Sequence, residues 1–221
     1  MAVSRSRRGV SRGLRASLSI GVALLLALGP RASASVSGRT LWVARYDGPG
    51  HLRDVAHAVA TSPDGSKVFV TGESTLPGYN EDYATVAYDA STGAKLWLKR
   101  YNGAGNSLDQ ANSIAVSPDG SRVFVTGESV GAGSELTGYG TVAYDATTGA
   151  TLWVGRYKGP GNGDDSPKSI AVSSDGSEVF VTGYTVGANG GYDYGTVAYD
   201  GSTGATLWST STPQRPIAAG I

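Results

Sequence analysis

The chain has 221 residues, no cysteine and a formal net charge of zero, from 18 basic and 18 acidic residues. The lack of cysteine excludes disulfides, thiolate metal sites and cysteine nucleophiles. A balanced charge provides no basic footprint for nucleic acid, so we expect no nucleic-acid partner.

Residues 1–34 have the features of a secretory signal peptide. An arginine-rich start is followed by the apolar run Ile20–Leu28 and the small-residue site Ala32–Ala34. The apolar run is shorter than the roughly 20 residues that span a bilayer. We therefore predict cleavage and no membrane span afterwards, with an uncleaved anchor as the alternative. Cleavage would remove six arginines and leave a net charge of −6, which fits a secreted or periplasmic protein.

One sequence repeat then occurs three times. Its tryptophans are 55, 56 and 55 residues apart, at Trp42, Trp97, Trp153 and Trp208. A period of this length built from strand-like words is typical of propeller blades. We interpret the tryptophans as structural residues that pack between blades, because large aromatic rings dominate core energetics.

The first element in chain order is the stretch Thr40–Tyr46, which matches a fourth blade strand but has no blade before it. Four antiparallel strands then form the first full repeat, separated by tight turns at Ser62–Gly65 and Asp89–Gly93. These strands are predicted over residues 55–62, 67–74, 82–89 and 95–101.

The same four-strand pattern recurs, so the chain is predicted to be all-β. We expect propeller repeats over residues 35–212, with blades at about 54–101, 110–157 and 166–211. The tail 213–221 has no strand character and is predicted to be unstructured.

Three blades are fewer than the four to eight that close a propeller. The predicted fold is therefore an incomplete β-propeller of about three blades plus an orphan N-terminal strand. Three explanations stay open: a truncated product of a longer gene, self-assembly of several copies to close the ring, or an open arc with exposed edges. We favour truncation, because the orphan strand lacks its blade.

Two sequence motifs of the repeat resemble those of known families. The units Tyr88–Trp97 and Tyr144–Trp153 resemble the repeat of the quinoprotein-like (PQQ-like) β-propellers, and Ile114–Gly127 is similar to the YVTN and lactonase-like bacterial repeats. The resemblance implies the fold. It does not carry over an active site, since quinoprotein dehydrogenases use eight blades, a calcium ion, a catalytic aspartate and usually a vicinal disulfide. We therefore assign no catalytic residue, no metal and no cofactor.

Strand alternation puts the long, variable loops at one end of the blades, where binding residues normally lie. The residues predicted for this ligand-binding rim are Tyr79, Asn80, Glu81, Asp82, Glu135, Asp164, Asp165 and Asp193.

Two further groups of residues have both a structural and a functional interpretation. Asp54, Asp109 and Asp165 recur at one repeat position, where they either cap a backbone turn or form a ring that holds a cation. We favour the turn, because Asp at turns needs no ligand. His51 and His57 occur in the first repeat only, as a metal pair, a general base or neither.

The sequence favours a secreted, non-catalytic propeller that binds a protein, glycan or small ligand through its long-loop rim. The alternative is a fragment of a quinoprotein-like dehydrogenase or of a lactonase-like enzyme. A third reading is a degenerate gene product with no function.

Overall fold

The computed structural model describes residues 38–78, 80–134 and 136–211. The predicted signal peptide 1–34 and the predicted tail 213–221 lie outside these residues. The chain divides into two units, Met1–Arg39 and Thr40–Ile221. Of the first unit only Gly38 and Arg39 are described, and neither is in regular structure. The strands of the described residues belong to the second unit.

In the part of the chain that the structure describes, twelve strands form three four-stranded antiparallel sheets in the order β1-β2-β3-β4, β5-β6-β7-β8 and β9-β10-β11-β12. We call these sheets blade 1, blade 2 and blade 3. Their strands are β1 Asp54–Thr61, β2 Lys67–Thr75, β3 Glu81–Asp89, β4 Lys95–Tyr101, β5 Asp109–Val116, β6 Arg122–Val130, β7 Thr137–Asp145, β8 Thr151–Tyr157, β9 Ser166–Val172, β10 Glu178–Val186, β11 Tyr192–Asp200 and β12 Thr206–Ser211.

The prediction of an all-β, incomplete propeller is confirmed, and the strand bounds agree with it to about one residue. No helix occurs in the described ranges, and so none there has the length and hydropathy needed to cross a membrane.

Local hydrogen bonds explain why the tight turns fall where the sequence places them. Asp64 accepts a bond from the Ser66 amide at 3.0 Å, and Gly65 has a φ of 68°, which glycine adopts without steric cost. In the second turn of the blade, the Asp89 carboxylate accepts from the Thr92 amide at 2.9 Å. Both turns are therefore encoded by residues within a few positions of each other.

The blades stack through aromatic side chains. The Trp97 ring lies 5.8 Å from Phe69 of its own blade and 6.1 Å from Tyr144 of blade 2. Its indole nitrogen donates to the Ala146 carbonyl oxygen at 3.2 Å. Trp153 repeats this arrangement with Gly201 of blade 3. Both tryptophans therefore pack between two consecutive blades, as their structural interpretation expects.

Trp208 differs from that interpretation. It is 45% exposed, against 8% for Trp97 and 7% for Trp153. Its ring still packs on Phe180 of its own blade at 6.1 Å. Blade 3 is the last sheet of the described residues, so no following sheet covers this tryptophan, and the expectation that it packs between blades is wrong.

The orphan strand also needs a correction. Thr40–Tyr46 forms no β-ladder within the described residues. Its side chains nevertheless alternate, with Leu41 80% and Val43 75% exposed while Trp42 is partly buried. The Trp42 indole nitrogen donates to the Ala90 carbonyl oxygen at 2.9 Å, as the later tryptophans do to their own following blades. Within the described residues, the segment therefore occupies the place of a fourth strand but has no first, second and third strand beside it.

Candidate functional site

The long-loop end of the propeller is built by two kinds of segment that meet there. Each Tyr-x-Gly-x-Gly connection lies against the loop between the second and third strands of the following blade. The Gly105 amide donates to the Val130 carbonyl oxygen at 3.0 Å, and the Gly161 amide donates to that of Val186 at 2.8 Å. The repeat therefore fixes the path of the rim, while the loop tips differ between blades.

The recurring aspartates hold this path. The amides of Gly48, Gly103 and Gly159 donate to the carboxylates of Asp54, Asp109 and Asp165 at 2.7, 2.6 and 2.8 Å. Asp165 also accepts from the Val186 amide at 2.8 Å. Burial raises the pKa of Asp109, and the Ser129 hydroxyl and the Gly103 amide partly offset this. The three side chains have the turn-capping role that we favoured from the sequence.

The residues predicted for the rim are divided by the structure. Tyr79 and Glu135 lie outside the described residues. Asn80 and Glu81 are partly exposed, and Asp164 is exposed. Their role in binding stays a prediction.

Asp82, Asp165 and Asp193 lie at the same end, but their side chains are buried. Asp82 is 3.4 Å from the Arg100 guanidinium, and burial raises its pKa against the lowering effect of that arginine. Asp165 is engaged with two backbone amides. We therefore correct the placement of these three residues: their side chains are buried at or next to the ends of β3, β9 and β11 and do not face solvent.

A cavity of about 250 Å³ opens at this rim. Among the described residues its lining includes two basic side chains, Arg156 and Lys158, together with Gly131, Ser134, Leu136, Gly138 and Tyr157. The Lys158 ammonium donates to the Thr137 carbonyl oxygen at 2.7 Å and lies 3.2 Å from the Asp165 carboxylate. It also bonds to the Gly163 carbonyl oxygen.

Our sequence reasoning missed these two cations, because it weighed the acidic residues of the rim. A signal was present for one of them. Arginine precedes tyrosine in the same repeat word at Arg45, Arg100 and Arg156. The structure shows why this Arg-Tyr motif recurs: the Arg156 guanidinium donates to both the hydroxyl and the carbonyl oxygen of Ser129, each at 2.9 Å.

The two histidines do not come together as a metal pair. The His51 Nδ1 lies 2.7 Å from the Asp47 carboxylate, and both side chains are exposed. The His57 Nε2 lies 3.8 Å from Glu73. In the described parts of the chain, no three acidic or histidine side chains are close enough to hold a metal ion.

The resemblance noted above would imply pyrroloquinoline quinone and a calcium ion, and the donor set decides whether these fit. Calcium takes about six to eight oxygen ligands, several from carboxylates. Of the described rim acids, Asp82 is paired with Arg100, and Asp165 is bonded to backbone amides and Lys158. Within the described ranges the residues therefore do not fit a calcium–quinone site.

The repeat geometry agrees with a family-level match. The model of one family, described as the outer membrane protein assembly factor BamB, matches residues 27–219. The chain belongs to this family. It is a PQQ-like β-propeller repeat protein, in agreement with the resemblance carried by Tyr88–Trp97. No curated protein matches the chain.

Solved structures resemble this PQQ-like repeat protein at low identity. The WD40 repeats of RRP9 match with a TM-score of 0.50 and 11% identity, over 72% of this chain and 39% of that chain. Quinohemoprotein alcohol dehydrogenase from Comamonas testosteroni matches with a TM-score of 0.47 and 16% identity, over 66% and 26%. TolB from Acinetobacter baumannii matches with a TM-score of 0.40 and 20% identity, over 68% and 31%.

The chain thus spans well under half the length of each of these proteins. At such identities the likeness concerns the propeller fold alone.

Proposed function

We propose that this protein is an exported, non-catalytic member of the BamB family that binds a partner through its long-loop rim. The observation that carries the proposal is the rim cavity lined by Arg156 and Lys158. Both cations are positioned by bonds to backbone carbonyl oxygens, Arg156 to that of Ser129 near the end of β6 and Lys158 to that of Thr137 at the start of β7. A rigid scaffold that presents variable loops is the usual setting for a binding site.

Lys158 is already bonded to two carbonyl oxygens and paired with the Asp165 carboxylate, so Arg156 is the cation of this cavity that an acidic or carbonyl-rich group of a protein or glycan would meet. The exposed Asp164 stands at its edge, and its carboxylate accepts from the Thr137 amide at 2.8 Å. Thr137, at the start of β7, is therefore held by both Asp164 and Lys158 before a partner binds. A preorganised loop lowers the ordering cost of association.

Export is the second part of the proposal. It rests on the arginine-rich start, the apolar run Ile20–Leu28 and the small-residue site Ala32–Ala34. The family description, an outer membrane assembly factor, fits the same compartment. Expression of the full chain in a Gram-negative host tests it: we expect periplasmic material whose N-terminus lies near residue 35.

Rim binding is tested by site-specific photo-cross-linking in the cells that export the protein. A photoreactive residue replaces Ala132 or Ala188, two exposed alanines of the long loops. The matched control replaces Ala150, an exposed alanine beside a tight turn at the opposite end of the blade. We expect a discrete cross-linked product from the rim positions only. Equal cross-linking at all three positions, or none at the rim, contradicts the proposal.

The enzyme alternative has its own test. Pyrroloquinoline quinone and calcium are added to the purified chain, and the melting temperature is measured. A ligand that binds the native state raises the melting temperature by an amount that grows with the logarithm of its concentration above Kd. We expect no change; a rise that depends on ligand concentration would favour the quinoprotein alternative over a non-catalytic rim.

A further inference from the structure

Blade 3 presents a bare face that has two covered counterparts in the same chain. Tyr83, Tyr139 and Tyr194 occupy one repeat position. The first two are fully buried, and Tyr194 is 81% exposed. Tyr83 donates to the Gly140 carbonyl oxygen of the next blade at 3.1 Å, and Tyr139 donates to that of Gly195 at 3.2 Å. The contact that Tyr194 would make is therefore known from two observed copies.

Blade 1 presents the complementary face. A cavity of about 230 Å³ lies between this sheet and the segment Thr40–Tyr46. Ala84, Val86 and Tyr88 line it. By repeat position, Ala84 corresponds to the glycines whose carbonyl oxygens accept the buried tyrosines. The cavity therefore opens where a preceding blade would insert its tyrosine.

The segment Thr40–Tyr46 also carries an arginine that lacks, within the described residues, the contact made by its counterparts in blades 1 and 2. It is an almost complete copy of β8, Thr151–Tyr157, with alanine in place of Gly155. Arg45 is exposed and makes no hydrogen bond or ion pair within the described residues. Its counterparts Arg100 and Arg156 each bond to a serine at the end of the second strand of their blade.

The missing partner of Arg45 exists on blade 3. Thr185 stands at the position of Ser74 and Ser129. Its hydroxyl oxygen is buried and has no hydrogen-bond partner among the described residues. The fourth strand of its own blade, β12, supplies Ser211 where the repeat has arginine. Blade 3 thus lacks the arginine that Thr40–Tyr46 offers.

We propose that a second copy of this chain docks head to tail, with blade 3 of one copy against blade 1 of the other, and that Thr40–Tyr46 pairs with β11 across the junction. Tyr194 fills the cavity of the partner copy and donates to its Ala84 carbonyl oxygen. Trp42 keeps its bond to Ala90 of its own chain. The segment takes the place of β12, and Arg45 reaches Thr185.

The register of the exchanged strand follows from the repeat. In blade 1, Thr85 of β3 lies opposite Lys99 of β4. The corresponding residues across the junction are Thr196 of one copy and Ala44 of the other. A head-to-tail contact repeats until it closes. Two copies supply six blades, within the range of about four to eight that closes a propeller.

Molar mass measured by light scattering and sedimentation on the purified full chain is the first test. We expect a concentration-dependent dimer. Tyr194→Ala should weaken the dimer by about tenfold or more, because a central aromatic anchor dominates an interface of this kind. The side chain is largely exposed in the single chain, so this variant keeps its fold. Leu152→Ala, at a site 46% exposed on blade 2, is the control and should leave the dimer unchanged.

A gain-of-function variant sharpens the test. A Cβ at Gly140 would lie 3.0 Å from the Tyr83 hydroxyl oxygen, tighter than an ordinary contact. Ala84 has such a Cβ where Tyr194 would enter. Ala84→Gly should therefore tighten the dimer, and the double variant with Tyr194→Ala should lose this gain.

Cross-linking identifies the register. The chain has no cysteine, so mixing Ala44→Cys chains with Thr196→Cys chains allows only one heterotypic disulfide. The double variant Thr85→Cys/Lys99→Cys is the internal positive control. We expect an intermolecular bond in the mixture and none in either variant alone. A monomer at every concentration, an assembly insensitive to Tyr194→Ala, or aggregates without the 44–196 bond would each overturn the proposal.

Discussion

The Arg156 guanidinium donates to the Tyr101 hydroxyl at 3.0 Å, although the two residues are 55 positions apart and belong to consecutive blades. The same guanidinium also binds Ser129 of its own blade. One side chain thus links two sheets and a loop end, and Arg100 repeats the arrangement with Tyr46. This link leads to the first prediction.

Arg156→Lys should lower the free energy of unfolding by about 1–2 kcal/mol, because an ammonium cannot serve three acceptors with the planar geometry of a guanidinium. Urea unfolding followed by circular dichroism measures the loss. Arg122→Lys is the control, since the Arg122 side chain makes no hydrogen bond within the described residues and should tolerate the change. Equal losses in both variants would contradict a specific linking role.

Trp153→Ala and Trp208→Ala should differ sharply in stability. Trp153 is 7% exposed and packs against Phe124 and Tyr199. Its truncation is expected to cost about 3–5 kcal/mol, as for other buried aromatic residues. Trp208 is 45% exposed, so its truncation should cost under about 2 kcal/mol. Both are measured by denaturant unfolding at low protein concentration; comparable losses would show that Trp208 is covered in solution.

Gly127→Ala should destabilise blade 2 by about 1–3 kcal/mol, because the added Cβ would collide with the carbonyl oxygen of Gln110 on the neighbouring strand. The register between β5 and β6 shifts at this point, between Ala111 and Ser113. Gly131→Ala is the matched control, since its nearest neighbour would be the Arg156 side chain at 3.4 Å. A melting temperature for Gly127→Ala as high as that of the control would rule out the collision.

The turn aspartates predict an acid-labile contribution to stability. The Ser62 hydroxyl, with the amide and hydroxyl of Ser66, lowers the pKa of Asp64 from 3.8 to about 2. Asp119 and Asp175 have the same arrangement and the same low pKa of about 2. A carboxyl with a lowered folded pKa stabilises the fold above its unfolded pKa, and this stabilisation is lost as the pH falls through the folded value.

The triple variant Asp64→Asn, Asp119→Asn, Asp175→Asn keeps an acceptor oxygen and removes the charge. Its melting temperature should be lower than that of the natural chain at neutral pH, and the difference should vanish as the pH falls from about 4 to about 2. Asp82 and Asp109 act in the opposite sense, since burial raises their pKa, and they are unchanged in the variant. A difference that persists below pH 2 would count against the charge effect.

Much of the fold was predictable because its signals are local. The turn Ser62–Gly65 carries its own acceptor in Asp64 and its own left-handed glycine, so it forms a hairpin whatever lies around it. The alternation of Val68 and Val70 with Phe69 marks a strand without reference to other blades. The prediction of twelve strands followed from three copies of these local sequence motifs.

The site was predictable in place but not in detail. The long-loop end was correct as the place where the connections meet, yet Asp82, Asp165 and Asp193 proved to be buried. The cavity with Arg156 and Lys158 arises from two segments, one ending at Gly138 and the other beginning at Arg156, that are 18 residues apart in sequence. The proximity of these segments depends on how they fold against each other, which a single sequence motif does not encode.

The sequence by itself determined the repeating unit, because hairpin turns and strand alternation depend on residues a few positions apart. Only the tertiary structure decided which copy of each unit is covered. The tyrosines at one repeat position are Tyr83, Tyr139 and Tyr194. Within the described residues, only the first two meet a following sheet. Burial depends on a neighbour 56 or 57 residues away, and for that reason identical repeat positions end in different environments.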